Sequence, residues 1–331
     1  MISSRTISIA LMCAGLLLPA AAQAGPKLLF DPADGKVLYA EDIDDQWYPA
    51  SLTKMMTAYV VFEALKAGQI TLETKLVTSE AAHAQPPSKI GLPVGGEMSV
   101  QLGLESLVVK SANDVAIMLA EAVGGSEPAF VERMNATALR LGMTNTHFVN
   151  ANGLPAAGQA TTARDLAKLA MAVTRDFPDY RYLWGLAEFR IGKRRIATHN
   201  NLLKTYDGAD GLKTGFICDS GYNIVASATR DGRQLMAVVL GEPSSQERAQ
   251  RASNLLDHGF ATYDWKVLFG TTTLDTLPVS ENPRPLTSVR DTVTSWSCGR
   301  RPARVVKKGG RKPVAKARAS TAAAPSAART Q

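Results

Sequence analysis

The sequence predicts an α+β fold in which one mostly antiparallel, five-stranded sheet is assembled from both chain ends and flanked by helices, with a helical region inserted. Three observations predict it. Two short apolar runs joined through a glycine turn open the globular region, helical periodicity fills its middle, and three β-rich runs followed by a helix close it. A single sheet drawn from both ends is the economical way to bury these faces. With 331 residues, 45% of them hydrophobic and 20% charged, the chain can build a core, which excludes global disorder and a collagen-like repeat.

The first 24 residues stand outside that fold. Arg5 gives a short basic start, residues 7–22 are apolar apart from Ser8 and Pro19, and Ala22, Gln23 and Ala24 form a small-x-small cleavage site. The expectation is a signal peptide over 1–24 and an exported protein of the periplasm or cell envelope, soluble or peripherally associated. Residues 27–31 and 36–40 then read as a hairpin turning at Pro32, Ala33, Asp34 and Gly35. Ser51 opens a helix through Met55, Tyr59, Phe62 and Leu65 that stops at Gly68. From there to Pro178 the reading is helical: 102–110, 114–123, 126–142, and a helix capped by Thr162 and Asp165 that ends near Asp176. Strands follow at 211–216, 222–230 and 234–240, the last two joined by Asp231 and Gly232, and a helix covers 246–256.

Residues 25–262 form the main globular body in this reading. Residues 263–298 are too poor in apolar side chains to fold alone and are expected to pack on the body or be tethered to it. Residues 299–331 hold ten Lys or Arg and no acid and read as a disordered basic tail. Residues 25–298 carry 26 basic against 30 acidic residues, a net of −4, so the overall +7 describes the tail rather than the body. Nucleic acid binding, which the charge alone suggests, does not fit an exported chain without interleaved aromatics; loose contact of the tail with an anionic wall or membrane surface does. In an oxidising compartment, the even pair Cys218 and Cys298 predicts a disulfide that would tie the C-terminal segment to the turn after residue 215.

Three motifs occur in order: Ser51-Leu52-Thr53-Lys54 at a helix start, Ser111-Ala112-Asn113 between helical segments, and Lys213-Thr214-Gly215 on an edge strand. Each is weak alone; the ordered triple is specific. Ser51 and Lys54, one helical turn apart, face the same side. A serine hydroxyl needs an adjacent base, and Lys54 can serve if burial and a nearby charge such as Lys213 hold it partly neutral. Lys213 and Thr214 on a strand edge offer a carboxylate partner and backbone groups for an extended peptide.

Residues 49–57 resemble the nucleophile region of the serine-type D-alanyl-D-alanine carboxypeptidases, the low-molecular-mass penicillin-binding proteins. Residues 111–114, 150–155, 162–166 and 207–230 are similar to that family in order and spacing, so the likeness covers about 25–262. It implies a β-lactamase/transpeptidase-like fold and no cofactor. It also implies removal of the terminal D-alanine from peptidoglycan stem pentapeptides through an acyl-enzyme, with β-lactams as covalent inhibitors. By resemblance Ser51 is the nucleophile and Lys54 the base; Ser111 and Asn113 relay protons and bind the peptide; Lys213 and Thr214, leading into Gly215, receive the carboxylate. The Phe216 N–H would join that of Ser51 in an oxyanion hole, and Arg248 assists carboxylate recognition. Two features depart from the best-known members. Phe216 stands where they carry a polar residue, and a basic tail ends the chain where they carry a β-rich domain and an amphipathic anchor.

A DD-endopeptidase would use the same residues. A class A β-lactamase would need a glutamate beyond the second motif, and residues 137–187 contain none. A zinc peptidase would need clustered ligands, whereas His83, His147, His199 and His258 are dispersed. A silent wall-binding scaffold would have no reason to keep all six polar motif residues.

Overall fold

The computed structural model describes residues 25–269, 272–295 and 298; the expected signal peptide and basic tail lie outside them. The hairpin β1 (Lys27–Phe30) and β2 (Val37–Glu41) turns at Gly35, whose φ of +74° suits glycine. A single 3-10 turn, Ala50–Leu52, leads into α1 (Thr53–Lys66). The excursion that follows holds β3 (Lys75–Val77), α2 (Glu80–His83), β4 (Glu97–Ser99), α3 (Val100–Glu105), a π-helical turn at Ser106–Lys110, α4 (Asn113–Gly124), α5 (Glu127–Arg140) and α6 (Ala163–Arg175). A 3-10 stretch and the hairpin β5 (Glu188–Ile191) and β6 (Arg194–Ala197) precede α7 (Leu202–Thr205). The chain then returns through β7 (Ala209–Ile217), β8 (Gly221–Arg230), β9 (Arg233–Glu242) and α8 (Ser245–Phe269).

The main sheet has the order β2-β1-β9-β8-β7 with every pair antiparallel, so strands from both chain ends meet at β1–β9, as the sequence predicts. Alternation splits its side chains between two cores. Leu28, Phe30, Val225, Met236 and Val238 join the core of α1, α4 and α6, whereas Leu29, Ile224, Leu235 and Val239 pack with Ala252, Leu255 and Leu256 of α8. With helices on one side and the sheet on the other, α1 is buried nearly all round and shows no narrow apolar stripe.

Four features correct the sequence reading. The two-stranded sheets β3–β4 and β5–β6 interrupt what reads as helical or featureless chain, because strands of three or four residues carry too little alternation to register. The residues read as one helix over 102–110 are α3 plus the π-helical turn. Helix α8 runs past Leu256 to Phe269. Gly259, inside that helix, allows close approach: a Cβ there would lie 2.7–2.8 Å from Leu235 and Leu29 on the sheet.

Residues 272–295 lie along the body as a strap. Leu274 and Val293 are buried, and Arg284 and Arg290 pair with Asp45 and Asp219 respectively. The most buried tie is Arg164, whose guanidinium grips Asp44 in a bidentate pair at 2.6 and 2.9 Å and donates to the carbonyls of Leu274, Leu277 and Pro278. A disulfide joins Cys218 to Cys298 across 80 residues. Closing a loop of that length stabilises by roughly 4 kcal/mol in the chain-entropy model. Because the strap has other anchors, Cys298→Ser is expected to lower the unfolding free energy by about 1–3 kcal/mol, read from urea denaturation; an unchanged midpoint would show that the bond adds nothing to those anchors.

Candidate active site

Where the third motif of β7 passes the start of α1, a cleft of about 460 Å³ opens, with Ser51, Ser111, Asn113, Thr214 and Arg248 among its lining. The contact is close: a Cβ on Gly215 would stand 3.1 Å from both the Pro49 carbonyl oxygen and the Ser51 nitrogen. Asn223 of β8 holds the preceding loop, donating to the Tyr48 carbonyl at 3.0 Å and accepting from Gly241 N–H. Ala50 is left-handed at φ +48°, and Gly153 packs on its carbonyl so tightly that a Cβ would fall 1.9 Å away. Ser51 is thereby held at the mouth of the helix by neighbours on both sides.

Lys54, 1% exposed, points along the same helix face. Its Nζ lies 3.1 Å from Ser51 Oγ, 2.8 Å from Asn113 Oδ1 and within hydrogen-bond reach of the Asn152 carbonyl. Burial, then the charge of Lys213, pushes its pKa well below the ordinary lysine value, with Asp114 opposing. Amide oxygens only accept, so a neutral Lys54 amine uses its two hydrogens on Asn113 and Asn152 and turns its lone pair to Ser51. Asn113 is fixed in the matching orientation, since its Nδ2 donates to the Pro86 carbonyl at 2.9 Å.

Ser111 ends the π-helical turn in a left-handed conformation, φ +58° and ψ +39°. Lys213, 2% exposed, donates to Ser111 Oγ at 2.9 Å and to the Thr214 carbonyl at 3.0 Å. Burial and the Arg248 charge lower its pKa to about 7. Arg248, from the first turn of α8, is itself buried, which lowers its pKa to about 10; it donates to the His199 carbonyl at 3.3 Å, and its Nε has no partner among the described residues. Phe216 stacks on Tyr222 with centroids 4.2 Å apart, an aromatic wall beside Arg248. Among the described residues no Asp or Glu lines the cleft, and no carboxylate is hydrogen-bonded to Lys54, Lys213 or Ser111. Two basic side chains, Lys213 and Arg248, thus flank a space that can hold an anionic group.

The family model described as D-alanyl-D-alanine carboxypeptidase matches residues 17–244. The chain belongs to that family. D-alanyl-D-alanine carboxypeptidase DacC of Escherichia coli is 39% identical over 244 residues, covering 72% of this chain and 61% of that protein. The solved penicillin-binding protein 5 of Haemophilus influenzae is similar with a TM-score of 0.70 at 36% identity, over 74% of this chain and 73% of the other. Penicillin-binding protein D2 of Listeria monocytogenes, solved in its ampicillin-bound form, gives 0.66 at 29% identity, over 72% of this chain and 97% of the other. The chain spans about three-fifths of the length of the curated relatives it matches.

In this member of the carboxypeptidase family, Ser51, Ser111, Asn113, Thr214, Gly215, Phe216 and Arg248 line one cleft, with Lys54 and Lys213 behind it, hydrogen-bonded to Ser51 and Ser111 respectively. Cys218 and Cys298 lie apart from it, beyond the end of β7. Sequence reasoning missed Asn152, Gly153 and His199. The first two act through the main chain, and the Asn-Gly pair marks only a turn. His199, read as one of four unremarkable histidines, lines the cleft.

Proposed function

We propose that this protein is a penicillin-sensitive serine D-Ala-D-Ala carboxypeptidase acting on peptidoglycan stem pentapeptides. The buried Lys54 amine in contact with Ser51 Oγ is the observation that carries the reading. Neutral Lys54 takes the hydroxyl proton as Oγ attacks the carbonyl carbon of the penultimate D-alanine. The resulting oxyanion is held by the Ser51 and Phe216 N–H groups. The C–N bond breaks, and the departing D-alanine amine receives the proton from Lys54 through Ser111, with Asn113 holding the peptide. Water then cleaves the Ser51 ester. Lys213, Thr214 and Arg248 receive the terminal carboxylate. The D-alanyl-D-alanine carboxypeptidase names of the relatives and the ampicillin-bound neighbour support substrate and inhibitor class.

Residues 25–262 serve as the catalytic domain, with 263–298 as its extension. The apolar start with its cleavage site supports export to the cell envelope, and the tail at 299–331 supports loose contact with an anionic wall or membrane surface.

Labelled penicillin is expected to form an adduct that mass spectrometry maps to Ser51, and a D-Ala-D-Ala peptide to release free D-alanine. An adduct that persisted in Ser51→Ala would overturn the assignment. The lysines also fix the pH profile. Lys54 must be neutral and Lys213 charged, so kcat/KM should rise through the lowered pKa of Lys54 and fall as Lys213 loses its proton near pH 7. Lys213→Arg should remove the falling limb; a falling limb that stayed in place would assign it to another group.

A further inference from the structure

We propose that the basic hairpin β5–β6 is a docking element for acidic peptide, engaging carboxylates on the part of the substrate that lies outside the cleft. The inference rests on the carboxypeptidase reading for which end of the peptide enters the cleft. Arg190, Lys193, Arg194 and Arg195 are all exposed on this hairpin. Only Arg195 has an acidic partner, Glu188; among the described residues no ion pair involves the other three. Residues 188–197 carry a net +3, while the rest of 25–298 carries −7, so the positive field here is local.

The hairpin is a rigid platform whose base belongs to the cleft. Phe189 and Ile196 are cross-strand partners, both buried in the main core. On the other face Arg190 stands opposite Arg195, a like-charge pair that costs stability on its own and favours an anionic partner. Immediately after β6, Thr198 N–H donates to the Ala187 carbonyl at 2.9 Å, and the His199 carbonyl accepts from Arg248. Thr198, His199 and Asn201 then line the cleft. A strand of four residues spans about 13 Å, so the tip of the hairpin lies only a few peptide residues from the cleft edge at Thr198 and His199. That continuity favours the substrate's own acidic segment over a lipid surface. Charges of one sign beside a cleft raise the local concentration and on-rate of an oppositely charged ligand by roughly 10–10³-fold, with strong screening by salt.

The test uses the triple variant Arg190→Gln, Lys193→Gln, Arg194→Gln, all exposed and away from the core, with its fold checked by thermal unfolding. Two probes are compared: a blocked neutral tripeptide ending in D-Ala-D-Ala, and the same peptide extended N-terminally by three glutamates. Binding is read by fluorescence anisotropy in the Ser51→Ala background and turnover as D-alanine release. The acidic peptide is expected to bind about tenfold tighter than the neutral one at low salt. That advantage should shrink below about twofold at 0.5 M salt and vanish in the triple variant, whose handling of the neutral peptide stays unchanged. The proposal is overturned if the acidic extension gives no advantage, if the advantage survives the triple variant, or if both peptides lose equally. Loss of sedimentation with anionic phospholipid vesicles, with peptide binding intact, would assign the hairpin to a membrane and also overturn it. If neither peptide released D-alanine while the salt-sensitive binding advantage held, the carboxypeptidase reading would fail and the docking role would stand.

Discussion

Lys54→Ala is expected to slow acylation of Ser51 by about 10²–10⁴-fold, the usual effect of removing a positioned general base. Lys54 is 1% exposed and held by two oxygens that can only accept, Asn113 Oδ1 and the Asn152 carbonyl. The substitution therefore removes the lone pair facing Ser51 and leaves those two acceptors without a donor. Losing a partner costs roughly 1–3 kcal/mol for each buried group, while deleting an amine that burial already disfavours offsets part of that. The expected result is a folded protein with nearly native thermal stability and almost no penicillin adduct in a timed acylation assay. Near-normal acylation would show that another group activates the serine. Lys213→Ala should differ in kind: it leaves the Ser51–Lys54 pair intact, so KM for the peptide should rise along with the fall in rate.

The contact between Ser51 and Lys54 was legible in the sequence because it is local: two residues one turn apart on a helix meet whatever the rest of the fold does. The sheet was legible for a related reason, since β1, β8 and β9 carry enough β-branched and apolar residues to register at either chain end. Ser111 is a different case. Its left-handed conformation and its bond to Lys213 depend on a π-helical turn and on a strand 102 residues away, and nothing local specifies either. Asn152 was hidden because its contribution to Lys54 comes from a main-chain oxygen, which every residue has. Gly153 was hidden because its role is the absence of a side chain against Ala50. Gly259 was hidden in the same way, since what it contributes is room for α8 to approach Leu29 and Leu235 on the sheet.

Arg164→Met is expected to have the largest effect on stability of any single change outside the site. Arg164 and Asp44 are 4% and 5% exposed, and the guanidinium also satisfies three strap carbonyls. Burial raises the Asp44 pKa, but the Arg164 hydrogen bonds and the Ser280 N–H more than reverse this, so its pKa lies below the ordinary aspartate value. Methionine fills the space yet strands a buried carboxylate, and breaking one side of such a pair costs about 3–5 kcal/mol. For a domain of this size that corresponds to a fall in Tm of roughly 6–20 °C. Replacing both partners, Arg164→Met with Asp44→Leu, should recover part of the loss, because no buried charge then lacks its partner. It should not recover the strap: the carbonyls of Leu274, Leu277 and Pro278 still lack their donor, so both variants should be cut by protease within 274–293 faster than the native chain. The disulfide at Cys298 and the Arg284 and Arg290 pairs would keep the severed strap attached, and penicillin acylation at 25 °C should persist in the folded fraction. A Tm shift under 2 °C for Arg164→Met would show that solvent reaches Asp44 readily and that the pair is not the anchor of the strap.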